Sequence, residues 1–382
     1  MKIYSSLYAL ALLLPALSLS SSAQTESPTL RSLATPLGFT IGAGDLDYPP
    51  ATLSDSTYTS LVAAQYNAVE PGNSMKMAAL EPEQGTFDFS GGDAVAAFAQ
   101  GHGQTVTATA PIWDGNATDY GTGNPAWLMN GGLTSVQLQT ILQTYITTVM
   151  QHYHTDYPGV ITNWAVVSEA SHLCGVLCTT MGNDSSGYPA YIALAYSYAR
   201  AADPSAKLCY DDWGGEGSGS TSDWIYGLVT YLKGRGLIDC VGMEGQWEGS
   251  GGVANIPSTS SIVTNINRLG ALGVTTYFSQ VEIGVASSNG TTADNAADLT
   301  TQSNAFGSLL QACLSTAACK GFYTWNVTDK YAFCWQSGWC APLPFDVNET
   351  PKPAYSALQS ALTNASRSGP PAPTNLTGSV VR

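Results

Sequence analysis

Trp164-Ala165-Val166-Val167-Ser168-Glu169-Ala170 is an apolar run that ends on an acid. A carboxyl delivered at the end of a buried strand is only partly hydrated. Partial burial raises its pKa and keeps it protonated, ready to give a proton to a leaving oxygen. The competing reading is a loop glutamate in water, and the segment alone does not separate the two. Metal chemistry has less support. His102, His152, His154 and His172 are the four histidines, and they form no ligand pattern with the cysteines beyond the nearness of His172 to Cys174. No metal and no organic cofactor is expected.

The elements that would position Glu169 can be read from hydrophobic periodicity. Short apolar runs at 39–43, 66–69, 105–110, 162–167, 207–210, 240–244, 276–282 and 321–325 read as strands. Between them lie stretches such as 136–152 and 189–202, with apolar residues at helical spacing. Strands alternating with helices in this way indicate an α/β fold, a single closed parallel (β/α)8 TIM barrel, with an open α/β sheet as the alternative. No G-x-G-x-x-G follows the first strand, which weakens a dinucleotide-binding reading. In such barrels the chemistry sits where strands end and loops begin, which is where Glu169 falls.

Bulk properties set the context. Residues 1–23 read as a secretory signal peptide: Lys2, an apolar run at 7–17, then Ser21-Ser22-Ala23 before Gln24. The run is too short for a membrane span. Export, and so a secreted, extracellular protein, is expected. Residues 24–36 form an N-terminal segment, 37–362 the barrel domain and 363–382 a disordered Pro/Ser/Gly-rich tail. A net charge of −15 with 13 Lys plus Arg argues against nucleic acid and anionic membranes, and suits a neutral ligand such as a sugar. A monomer is expected. Eight cysteines in an exported chain point to disulfides: Cys313 with Cys319, Cys334 with Cys340, and Cys174 with Cys178 by close spacing. Cys209 and Cys240 fall on neighbouring strands, to pair or to stay buried. Asn116, Asn183, Asn289, Asn326, Asn348, Asn364 and Asn375 each begin an N-x-S/T sequon.

Several motifs in one order give the chain a family resemblance. Trp164 to Ala170 resembles the W-D-V-V-N-E-A segment of the family 10 xylanases, the endo-1,4-β-xylanase family of glycoside hydrolases. Asn73-Ser74-Met75-Lys76 resembles their E-N-x-M-K, and Glu81-Pro82-Glu83-Gln84-Gly85-Thr86-Phe87 their E-P-x-x-G-x-F. Ala201 to Leu208 is similar to the stretch before their fifth strand, and Cys313 and Cys319 repeat a C-x5-C. Trp325 with Asp329-Lys330-Tyr331 resembles W-x-V-x-D-K-Y, and Pro351-Lys352-Pro353-Ala354-Tyr355 resembles P-K-P-A-Y. The similarity runs from about Phe39 to Leu362.

The resemblance implies two carboxylates flanking a sugar bond, about 5 Å apart in retaining enzymes. Glu169 falls on the acid/base position. Trp325 falls on an aromatic platform, Trp113 on a second site-lining tryptophan, and Asn73 and Lys76 on residues that hydrogen-bond sugar hydroxyls. The pattern then departs from the family. Where members have I-T-E-L-D, this chain has Phe278-Ser279-Gln280-Val281-Glu282, so the ungapped nucleophile position is Gln280. A neutral amide cannot form the glycosyl ester. Glu282, two residues on and on the same strand face, restores a carboxylate under a two-residue slip, and otherwise takes the supporting Asp position. Ser168 replaces the Asn before the acid/base, Gly72 replaces the Glu of E-N-x-M-K, and Thr109 and Asp114 stand where histidines are expected. Met243-Glu244-Gly245-Gln246 replaces F-Q-S-H, and Asp211-Asp212-Trp213 replaces N-D-Y.

Three functions follow. The first is a secreted glycoside hydrolase acting on a β-linked plant-type polysaccharide or glycoside, with Glu169 as acid/base and Glu282 as second carboxylate. Asn73, Lys76, Trp113, Asp114, Ser168, Asp212, Glu244, Gln246 and Trp325 would bind substrate or support the altered site. The alternative is a catalytically impaired member that binds carbohydrate, favoured by Gln280. A structural or interaction role is third, and would require a blocked groove.

Overall fold

A computed structural model describes residues 27–48, 52–115, 123–247, 249, 251–334 and 336–368. The barrel strands are β1 (Thr40–Gly44), β2 (Ala68–Val69), β3 (Thr105–Trp113), β4 (Ile161–Ser168), β5 (Lys207–Asp212), β6 (Cys240–Met243), β7 (Thr275–Ile283) and β8 (Cys319–Trp325). They pair in parallel in chain order, and β8 pairs with both β7 and β1, which closes the ring and removes the open-sheet alternative. The fold is a (β/α)8 TIM barrel, and each expected strand is present with ends moved by a few residues. Helices such as Ser135–Asp156 and Ala190–Ala202 pack their apolar faces on the outer side of the strands. Local signals fix their starts. Thr134 and Gln137 form a capping box, and the Asp55 carboxylate caps the helix Ser56–Gln65.

The barrel interior is small and partly polar. Ala68, Ala165, Cys209, Cys240, Tyr277 and Tyr323 cluster inside the ring. Small residues on one side make room for the two tyrosine rings, whose centroids lie 5.8 Å apart. Gly42 on β1 is part of that fit, because a Cβ there would overlap the Tyr323 ring. The Tyr323 hydroxyl meets Thr107 Oγ1 at 2.9 Å, so its buried oxygen is satisfied.

Two irregularities re-aim side chains at the wide end. Along β7 and β8, Phe322 faces Phe278 and Thr324 faces Val281, so β7 carries one extra residue. As a result Ser279 and Gln280, though adjacent, both reach Asp211, while Val281 joins the outer core. A similar shift lies on β4, where Ala165 faces Cys209 and Val167 faces Tyr210.

The domain edges differ from expectation at both ends. The helix Leu30–Ala34 buries Leu30 and Ala34 in the main core, and Gln359 Nε2 donates to Pro28 O at 2.6 Å, so part of the 24–36 segment belongs to the barrel. The last helix, Pro353–Ser368, runs six residues past the expected end at 362, with Thr363 and Ser366 hydroxyls donating to Gln359 and Leu362 carbonyls. The expected signal peptide, and the tail from residue 369 on, lie outside the described residues. Four disulfides join Cys174 to Cys178, Cys209 to Cys240, Cys313 to Cys319 and Cys334 to Cys340. Asn183, Asn289, Asn348 and Asn364 are exposed, but Asn326 is buried and its Oδ1 accepts from Val327 N, so this sequon is closed to a glycan in the folded protein. Asn116 and Asn375 lie outside the described residues. No helix among the described residues is long and apolar enough to cross a membrane.

Gly42→Ala drives a methyl group into the Tyr323 ring, and overpacking of this kind costs about 1–3 kcal/mol or more. Thermal unfolding of the variant should show a Tm several degrees below wild type. An unchanged Tm would mean that the barrel interior yields around Tyr323 and is not tightly packed there.

Candidate active site

A cavity of about 390 Å³ opens at the C-terminal ends of the strands. It gathers Asn73, Lys76, Trp113, Ser168, Glu169, Gln246, Gln280, Glu282 and Trp325, all expected from the sequence, from six different loops and strand ends. Glu169 follows β4 directly, with φ 56°, an uncommon backbone state for a residue with a side chain. Its N–H donates to Asp211 O at 2.8 Å, and its carbonyl accepts from His172 N and Leu173 N at 3.0 and 2.9 Å. Its position is thus set by backbone bonds on both sides. Burial holds the Glu169 carboxyl above the usual carboxylate range, with Lys76 opposing the shift and Asp212 adding to it.

Lys76 lies at the start of the short helix Met77–Leu80. Its Nζ donates to Asn73 Oδ1 at 3.0 Å and stands 4.9 Å from the centre of the Trp113 ring, a cation–π distance. Burial of the ammonium lowers its pKa, and Glu169 is the strongest of the acids that oppose this.

Gln280 is held by its neighbours. Gln246 Nε2 donates to Gln280 Oε1 at 2.6 Å, and Gln280 Nε2 donates to Asp211 Oδ2 at 3.3 Å. Glu282 is buried beside it, opposite Gln246 in the strand register, and also lines the cavity. The two side chains do share one face, as their spacing requires.

Three expected residues lie behind the cavity rather than on it. Asp114 accepts four N–H groups, from Gly175, Leu177, Cys178 and the Asn124 amide, at 2.7 to 3.1 Å. It pins the loop and helix at 175–178 and has no free edge for a sugar. Asp212 accepts from Tyr210, Ser171 N and Trp213 N, and so shapes the loop after Glu169. Glu244 is fully buried, with neither carboxyl oxygen hydrogen-bonded among the described residues, and burial pushes its pKa well up, with Glu169, Asp211, Asp212 and Glu216 adding to the shift. Beneath the cavity, Glu70 accepts from the Thr109 hydroxyl and is likewise raised by burial and then by Asp211. Asp211 accepts from Ser279 Oγ at 2.6 Å and is pushed up to about 8, chiefly by burial.

Asp45, Tyr48, Thr109, Trp213 and Phe333 also line the cavity. Asp45 follows β1 directly, so the rule that singles out Glu169, an acid just past a barrel strand, would have found it. Trp213 is 44 % exposed and stacks on His172 with centroids 3.5 Å apart. No group of His, Cys, Asp and Glu among the described residues could hold a metal ion.

A closed (β/α)8 barrel with a partly buried glutamate, an ammonium and two tryptophans at its C-terminal mouth has the architecture of a glycoside hydrolase. The glycosyl hydrolase family 10 model matches residues 32–361. The chain is 30% identical over 345 residues to endo-1,4-beta-xylanase A of Phanerodontia chrysosporium, covering 88% of this chain and 78% of that one. A glycosylated endo-beta-1,4-xylanase from Gloeophyllum trabeum superposes with TM-score 0.75 at 30% identity, covering 87% of this chain and 98% of that one. Xylanase 10B from Thermotoga petrophila, solved in complex with xylobiose, gives TM-score 0.77 at 25% identity, with 89% and 98% covered. This chain therefore belongs to glycosyl hydrolase family 10 and is a xylanase-like glycoside hydrolase.

The raised Asp211 has a consequence for stability. Its folded pKa lies above its unfolded value of about 4, so the fold favours the protonated acid. Stability is then highest below that unfolded value and falls as pH rises towards the folded one. Asp211→Asn keeps the shape, can donate to Ser279 Oγ and accept from Gln280, and removes the titration. The variant should match wild type near pH 4 and exceed it near pH 8 by several kcal/mol, up to about 5. Denaturation at the two pH values measures this, and a gap that does not widen with pH would refute it.

Proposed function

We propose that this enzyme hydrolyses a β-linked plant-type polysaccharide or glycoside, xylan first among them, through Glu169 as acid/base and Glu282 as the second carboxylate. The observation that carries the reading is Glu169 itself, an acid whose burial favours the protonated form, in a cavity with Trp113, Trp325, Asn73 and Lys76. The relatives named as endo-xylanases supply the substrate class. Glu169 gives its proton to the glycosidic oxygen as the bond to the anomeric carbon breaks. Trp325 stacks on the apolar face of the sugar, while Asn73 and Lys76 hold its hydroxyls. Gln280 cannot bond to the anomeric carbon, because it is an amide whose oxygen is engaged by Gln246. Glu282 supplies the negative charge that the oxocarbenium-like transition state requires, and a water oxygen then bonds to the anomeric carbon in place of the departed oxygen, its released proton passing to the carboxylates so that Glu169 is protonated again.

Export belongs to the same proposal. The apolar run at 7–17, with Ser21-Ser22-Ala23 after it, supports a leader removed before Gln24, and the four disulfides suit an oxidising compartment.

Glu169→Gln and Glu282→Gln should each lower kcat on xylan by roughly 10²–10⁴-fold with the fold intact. If Glu282→Gln turns over normally, the second carboxylate is elsewhere. If wild type binds xylo-oligosaccharides but cleaves none from acid to neutral pH, carbohydrate binding replaces hydrolysis as the function. The pH profile gives a separate check. Wild-type kcat/KM should fall as pH rises through the raised Glu169 pKa, and Lys76→Met, which removes the charge that opposes the shift, should move that falling limb to higher pH. A limb that stays in place would detach Glu169 from the proton transfer.

A further inference from the structure

Asp45 is the first residue after β1, and it adopts φ 51°, in the left-handed region that L side chains avoid. It is 5 % exposed, lines the cavity beside Tyr48, Asn73 and Lys76, and has burial and the charges of Asp47 and Lys76 as its surroundings, with no hydrogen bond from the protein to its carboxyl among the described residues. The loop opposite is fastened by Asp47, whose carboxylate accepts from the N–H groups of Gly72, Asn73 and Ser74 at 2.6, 3.3 and 2.9 Å. That bond set presses Gly72 against Asp45. A Cβ at Gly72 would run into Oδ1 of Asp45, with Asp45 Cγ at 3.0 Å and Asp47 Oδ1 at 3.2 Å. Gly72 is not among the glycines in the left-handed region, so its backbone does not call for glycine. The space does.

We infer that Asp45 is a sugar-binding carboxylate of this site, occupying from β1 the space that a side chain at position 72 would fill. The inference rests on the carbohydrate-binding reading given above. A buried acid beside an ammonium and a side-chain amide is matched to neighbouring hydroxyls of a neutral sugar. Each hydroxyl donates to Asp45 and accepts from Lys76 or Asn73. A uronic acid placed there would set a charged carboxylate beside Asp47 and beside Asp45, whose own carboxyl is already pushed towards its neutral form by burial and then by Asp47, so the neutral ring is the class selected. A purely conformational role for Asp45 makes the opposite forecast. Glycine suits a positive φ better than aspartate does, and replacing Asp45 by glycine would then cost nothing in binding.

The test titrates xylotetraose calorimetrically into the full chain carrying Glu169→Gln, which slows turnover enough for an equilibrium titration. Adding Asp45→Gly should weaken Kd by roughly 10–100-fold, with Tm unchanged or higher. Gly72→Glu alone should lower both Tm and affinity through the overlap. Asp45→Gly combined with Gly72→Glu should recover most of the lost affinity, because a carboxylate re-enters the vacated space. If Asp45→Gly binds within twofold of its parent, or the paired exchange binds no better than Asp45→Gly while its Tm is intact, the inference is overturned and the carbohydrate reading stands. If the parent itself binds no xylotetraose, both fall together.

Discussion

A carboxylate taken out of water costs several kcal/mol unless it is neutralised or paired. Closing eight strands into a ring brings Glu70, Asp211 and Glu244 to one dry level under the cavity, each without solvent access. Lys76 is the cation that faces Glu70, Glu169 and Glu244 from above. One ammonium does not balance this many acids, and the acids respond by holding protons. The donors around them, the hydroxyls of Thr109 and Ser279 and the Gln280 amide, stabilise whatever charge is left. Glu169 therefore sits above buried acids whose surroundings favour the protonated form, as its own do, which is the state a proton donor needs.

The same constraint accounts for the amide at position 280. The resembled motifs have an amide where Asp211 stands and a carboxylate where Gln280 stands. Here the two group types have changed places across one hydrogen bond. The contact between β5 and β7 is kept, while the acid moves deeper into the barrel. A carboxylate at 280 would lie within about hydrogen-bond distance of Asp211 and share its like-charge penalty. At the edge of the cavity, Gly72 has no side chain and Asp45 reaches into the space that one would fill.

The eight strands could be read from the sequence because each is a short apolar run bounded by helical periodicity, and this signal is local. Glu169 could be read because it ends one of those runs. Asp114 was misplaced because sequence order says that an acid follows β3 but not which way it turns. It turns outward, into the waiting N–H groups of 175–178. Asp45 was legible in the same way as Glu169, as an acid just past a barrel strand, but its fit against Gly72, 27 residues away, and the Asp47 bonds that bring the two together were not. The bulge at Ser279 and Gln280 is equally invisible, because register between β7 and β8 is a property of the pair of strands.

The bridge between Cys209 and Cys240 lies inside the ring, where the two residues are 0 % and 2 % exposed. Thiol–disulfide exchange begins with a thiolate reaching one of the sulfurs. No thiolate reaches these while β5 and β6 remain paired and the ring is closed. Cys334 is exposed, and its bridge to Cys340 answers to the reductant directly. Two bonds of identical chemistry thus keep different time. The outer one is cut at a rate set by the reagent. The inner one is cut at a rate set by how often the whole barrel opens, and so serves as a clock for its global unfolding.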